Sequence, residues 1–360
     1  SDLIASFMYQ KQDTNTTLQF PIDIGFGPGT FDIKLPADQK AYGGELQYLY
    51  RSSSINVIGG GGYFKTDGEQ KNESVLNDPV LGITPFGSDP ASLDSHFLDL
   101  YVYAYINYLK NVTVTLGASF DKNESKELDA VDKSQFNPKV GITWNPVPNT
   151  TLRAAFFRTL KRTLITNQTL EPTQVAGFNQ FYDDFNSTET WVYGAAVDQK
   201  FNASLYGGLE YAQRELTIPN FSPAVFSADT FGGKEKLGRA YLYGTPHKWV
   251  ALTADYLYER IERDERASNA ATLTTHRVPL GMNFSHPSGL NAMVKATYID
   301  QKGSFLPQGA DALPENLVPG DDQFWLCDAA IAYRLPQRYG MITVGAKNLF
   351  NRSFHYQDTD

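Results

Sequence analysis

The sequence has one cysteine, Cys327, in 360 residues. It cannot close an internal disulfide or build a thiolate metal cluster. Within WLCDAAIAY it reads as a packed thiol on an apolar strand face. Long apolar runs are missing too: no stretch approaches the roughly 18 residues a membrane-spanning helix needs. Positive charge is short, with 31 Lys and Arg against 40 Asp and Glu, a net charge of −9. That argues against a nucleic-acid partner, which would need a basic stripe. The five histidines, His96, His247, His276, His286 and His355, are scattered. None stands in H-E-x-x-H or a Cys/His ligand spacing, and no serine has a G-x-S-x-G context. No metal, cofactor or catalytic residue is therefore expected, and an enzyme is only the third reading. Ser1-Asp2-Leu3 reads as opening inside a strand-like segment rather than a signal peptide, the expectation being a mature or trimmed exported chain.

What is abundant is aromatic residues, 21 Tyr and 23 Phe. They occur within period-two patterns, most clearly over residues 95–123, SHFLDLYVYAYINYLKNVTVTLGASFDKN. Leu98, Leu100, Val102, Ala104, Ile106 and Tyr108 fall on one face; Asp99, Tyr101, Tyr103, Tyr105 and Asn107 fall on the other. After a turn at Lys110-Asn111 the alternation resumes, with Val112, Val114, Leu116, Ala118 and Phe120 on the apolar side. Alternation of this kind specifies strands. An apolar outer face, a polar inner face and aromatic ends are how a chain spans a membrane as a barrel. A mean hydropathy of −0.36 is compatible with this, because only alternate strand residues meet lipid.

The same rhythm runs along the chain as about fifteen strands. Tight turns alternate with long connections over residues 13–41, 67–94, 124–136, 160–187, 215–236 and 303–322. One short-turn end and one long-loop end indicate periplasmic turns and extracellular loops. The four glycines from Gly59 to Gly62 have no following helix and no Gly-Lys-Ser/Thr ending, so they read as a strand with a bulge or close approach rather than a phosphate loop. The charged run ERIERDER reads as a solvated strand end. The expected fold is all-β: an antiparallel up-and-down transmembrane β-barrel in the bacterial outer membrane. Residues 1–360 are expected to form a single barrel domain, and the chain is expected to be a fragment of a longer one. Because bacterial barrels close on even strand numbers, an odd count implies at least one further strand.

The stretch VGAKNLFNRSFHYQ near the end contains Gly345, Asn348, Leu349, Phe350, Asn351 and Phe354. It resembles the G-x-x-N-L-F-[ND]-x-x-[YF] pattern in the penultimate strand of TonB-dependent outer-membrane receptors. A second echo is LRAAFFRTL leading into NQTLEPTQ, with Thr173 where that family usually has Glu. The resemblance implies a receptor importing a scarce nutrient, such as a ferric siderophore, haem, cobalamin or a glycan. Its barrel would have about 22 strands around an N-terminal plug, coupled through that plug to the TonB energy complex. No plug-like stretch precedes Leu3, so the chain would correspond to the C-terminal part of such a barrel, without its last strand. The rival reading is a sixteen-stranded passive or export channel of porin or polysaccharide-export type, part of a larger protein with periplasmic repeats. A soluble all-β lectin is the outside alternative.

Ligand contacts are expected in loops and lumen. Residues 161–187 make the best candidate loop, with basic residues at one end and Phe178, Phe181, Tyr182, Asp183, Asp184 and Phe185 at the other. The aromatics could stack on a siderophore or sugar, or the loop could fold on its own aromatics. Lumenal Tyr101, Tyr103 and Arg153 join the candidate set. Asp99, Tyr105, Asp198, Glu210, Asp255, Lys295, Asp328 and Lys347 are expected to line the same wall. The expected partners are outer-membrane lipid, a small-molecule or metal-chelate ligand, and the TonB complex.

Overall fold

The computed structural model describes residues 1–360 except 24–27, 79–81, 93, 126–131, 163–167, 223–226, 265–269, 306–316 and 356–360. The GFGPG stretch and the end of the ERIERDER run fall largely outside that description. The chain begins with three long strands, β1 (Asp2–Asp23), β2 (Pro28–Arg51) and β3 (Ile55–Asp78), then a shorter β4 (Gly82–Ser92). The hairpin of β5 (Ser95–Ile106) and β6 (Val112–Ser125) follows, then β7 (Lys133–Val147) and β8 (Thr150–Leu160). Two tiny strands, β9 (Gln174–Val175) and β10 (Phe178–Asn179), pair only with each other. The meander continues through β11 (Glu189–Asn202), β12 (Leu205–Ser222), β13 (Ser227–His247), β14 (Val250–Arg263), β15 (Ala270–Ser285), β16 (Leu290–Phe305), β17 (Val318–Arg334) and β18 (Met341–Ala346). Fifteen strands pair in chain order in one antiparallel sheet, and β4 pairs β3 alone.

Burial follows the alternation read from the sequence. On β5, Asp99 and Tyr103 are 0% exposed, whereas Leu100 and Val102 are 53% and 49% exposed. Across the ladder Leu100 stands opposite Phe120, and Phe120 opposite Phe136, so the outward faces of neighbouring strands join into one apolar band. Outward aromatics pair between strands: Tyr9 with Tyr42, Phe156 with Trp191, and Tyr298 with Trp325, at centroid distances of 5.2, 5.0 and 5.3 Å. Cys327 stands opposite Ala296 on this outward face.

Several expected loops are strand. The register carries β1 and β2 to Asp23↔Pro28, β12 and β13 to Ser222↔Ser227, and β16 and β17 to Phe305↔Val318. Residues 67–94 are mostly the β3–β4 hairpin, and β6 and β7 take in both ends of 124–136. Beyond the apolar band both faces of a hairpin meet water, so nothing forces alternation, while backbone pairing continues unchanged. The last described strand stops at Ala346, within the VGAKNLFN stretch. Asn348 (φ 48°) and Asn351 (φ 49°) turn the chain. The Asn348 side chain clamps the turn, accepting from Arg352 N and donating to Arg352 O, both at 2.9 Å. Asn tolerates this left-handed backbone better than most residues.

Candidate functional site

The long connection between β8 and β11 turns inward and fills part of the lumen. Its hairpin, β9–β10, needs positive φ at both central residues, and Ala176 (46°) and Gly177 (87°) supply it. The hairpin carries Val175 and Phe178, 0% and 2% exposed, onto the inner wall. There they join Tyr101, Tyr103, Phe157, Val192 and Ala212 in the principal apolar cluster.

Polar contacts fix the segment on either side of that hairpin. Ahead of it, Thr169 Oγ1 donates to Glu45 Oε1 at 2.6 Å, and Leu170 N donates to Glu45 Oε2 at 3.0 Å. Gln47 Nε2 donates to Tyr101 OH at 3.1 Å and also reaches Leu170 O. Tyr103 OH donates to Glu171 Oε1 at 2.7 Å. After the hairpin, Gln180 Nε2 donates to Pro172 O at 2.7 Å, and Lys139 Nζ donates to Gln180 Oε1 at 2.5 Å.

Arg162 ties these groups together. It pairs with Asp99 at 2.8 Å and Glu171 at 3.1 Å, all three side chains being at most 4% exposed. Its guanidinium also faces the rings of Phe64, Phe97 and Phe181 at 5.7, 5.1 and 5.5 Å. Burial works against its charge, but Glu171 and Asp99 outweigh that and hold its pKa above the ordinary value.

The sequence-derived candidates separate into two groups. Tyr101, Tyr103, Phe178 and Arg153 lie deep and are engaged with the wall or the segment. Arg153 donates to Asp198 (2.8 Å) and Glu210 (2.9 Å) and faces the Phe178 ring at 5.3 Å. Nearer the loop end, Phe181 and Tyr182 are half-buried, and Arg214 covers the Tyr182 ring at 3.7 Å. Asp184 pairs with Arg214, which also reaches Glu235. The Asp183 side chain is 92% exposed, and Phe185 is exposed as well.

Of the expected lumenal residues, Tyr105, Asp198, Glu210 and Asp255 occupy the inner face, Asp255 bonded by Arg239 Nε at 3.0 Å. Lys295 and Asp328 stand opposite one another on β16 and β17, and Lys347 is exposed just past β18. The motif residues do not join this site. Gly345 pairs with Ala330, Asn348 and Asn351 make the terminal turn, Leu349 and Phe350 are exposed, and Phe354 stacks on Phe324 at 4.5 Å. Sequence reasoning missed Arg162, Glu171, Glu45 and Lys139. A paired carboxylate or amine on an inner strand face looks the same in sequence as one lining water. Among the described residues no group of three or more His, Cys, Asp or Glu could hold a metal ion.

Comparison with known proteins agrees with this architecture. The ferripyoverdine receptor of the Pseudomonas aeruginosa outer membrane superposes with a TM-score of 0.63 at 12% identity, over 97% of this chain and 50% of that one. The ferric preacinetobactin receptor of Acinetobacter baumannii gives 0.61 at 13% identity, over 97% and 56%. The ferric-catecholate import receptor of E. coli K12, in its closed form, gives 0.58 at 13%, over 97% and 57%. The chain thus spans about half the length of these receptors. None of the curated proteins matches it in sequence. The family model for the TonB dependent receptor-like β-barrel matches residues 1–349, and the chain belongs to that family.

Proposed function

We propose that this TonB-dependent receptor barrel, a bacterial outer-membrane protein, serves the active uptake of a scarce nutrient, with a ferric chelate as the first class to test. The family match over residues 1–349 carries this reading. The named function of three superposing receptors, for ferripyoverdine, ferric preacinetobactin and ferric catecholates, supports the choice of chelate. Haem, cobalamin and glycans are the other members of the nutrient class. Ligand meets the extracellular ends of the strands and the exposed upper surface of the inward segment, where Asp183 projects and Phe181 and Tyr182 are half-exposed. Energy reaches the barrel from the TonB complex through a plug.

The test uses the full-length protein in its host. Deleting the gene should abolish growth on one of a panel of ferric chelates under iron limitation. The intact gene should restore growth, but only in cells with a working TonB complex. A sixteen-stranded passive channel predicts TonB-independent uptake and large, steady currents in planar bilayers; those results would overturn the importer reading.

A further inference from the structure

The inward segment, residues 168–188, rests in a socket built for it. Gly141, Ala155, Gly194 and Ala212 stand opposite one another on four neighbouring strands, β7, β8, β11 and β12. This row of small residues on the inner face is where the β9–β10 hairpin lies. A Cβ added to Gly141 would come within 2.8 Å of Ala176 Cβ, and one added to Gly194 within 2.5 Å of Phe178 Cδ1. The wall leaves room for the hairpin and for nothing larger on its own strands.

The polar contacts point the same way. Swinging the segment out would expose Val175 and Phe178 and part Glu171 from Tyr103 and Gln180 from Lys139. Glu45 would lose both Thr169 and Leu170. These are buried groups, whose separation from partners is far more costly than that of surface pairs. Loops that open in function come from the weakly packed parts of a fold. This one is anchored by residues that are nearly inaccessible: Glu171, Val175, Phe178 and Gln180 are 4%, 0%, 2% and 3% exposed.

We infer that residues 168–188 are a permanent strap of the lumen, docked at rest and still docked while solute passes. The strap is part of the wall, and solute moves beside it. Only the clause about passage rests on the uptake reading.

Accessibility of a thiol in the socket tests this in the full-length chain, with Cys327→Ser removing the outward native thiol. In cells carrying out uptake, Val175→Cys should react with a small charged methanethiosulfonate reagent at least about tenfold more slowly than the exposed neighbour Asn179→Cys. A smaller difference would show a lid that opens and would overturn the inference. A second measurement leaves the socket unaltered: in the full-length protein, amide hydrogen exchange at Val175 and Phe178 should be equally slow with and without the imported ferric chelate bound. Exchange at the hairpin that speeds up when the chelate binds would overturn the inference. A parent protein that imports none of the chelates would remove the uptake reading. The strap would then be decided by the same thiol rates in the purified full chain.

Discussion

At the scale of single residues, Arg162 governs the interior. It is the counter-ion of two buried carboxylates, Asp99 and Glu171, and packs between three aromatic rings. Its removal leaves both acids without their nearest cation, and Lys139 is 3.9 Å from Glu171, too far to replace it fully. Breaking a buried pair from one side costs about 3–5 kcal/mol. Arg162→Met in the full-length protein should therefore lower unfolding stability in detergent by roughly that amount. The double change with Asp99→Asn should lose less than the sum of the single changes, because one of the two uncompensated charges is gone. Additive losses in chemical unfolding would mean that the pair does not couple. Nothing in KRTL marks Arg162 in the sequence: a basic residue at the start of a polar loop is ordinarily solvated, and only its return into the lumen buries it.

At the scale of elements, the strands were legible where one face met lipid and illegible where neither did. Leu98 to Ile106 alternate because a membrane and a polar interior impose opposite demands on successive residues. Asn15 and Pro36 are partners in the β1–β2 ladder, yet both are exposed or half-exposed in a hairpin wet on both faces, so their sequence reads as loop. The inward fold of the β8–β11 connection was half-legible. Its aromatics gave a choice between a ligand surface and a self-packed loop, and the structure packs Phe178 onto the wall. The missing signal was the row Gly141–Ala155–Gly194–Ala212, whose members lie far apart in sequence and align only once strand register is known. That row makes a definite prediction. Gly194→Val places side-chain atoms where the Phe178 ring lies, and overpacking of this kind costs about 1–3 kcal/mol. Hydrogen exchange at Val175 and Phe178 should speed up while β8 and β11 stay protected. Unchanged exchange at the hairpin would mean that it does not depend on the socket.

At the scale of the whole molecule, one sheet separates three environments: lipid outside, a polar lumen inside, and water beyond both rims. The outward row on β5 marks where the first of these ends. Leu98 stands between Tyr63 and Lys122, and Lys122 bonds Glu124 at 2.5 Å in an exposed pair. A lysine, its carboxylate and a tyrosine at one level place that level at the lipid–water interface, where ring edges and ammonium groups reach water. Two residues toward the short-turn end, Leu100 has Phe120 and Gly61 beside it; two further, Val102 has Ala118 and Gly59, with only apolar or glycine positions at that depth. A cation on the lipid face of a barrel costs about 2–4 kcal/mol at the midplane and about 0–1 kcal/mol near the interface. Val102→Arg should therefore destabilise the full-length protein by the larger amount in reversible unfolding from lipid bilayers, and Leu98→Arg by the smaller. Equal losses at the two positions would mean that the apolar band is centred elsewhere on β5. A larger loss at Leu98 would invert the assignment of depth along this strand.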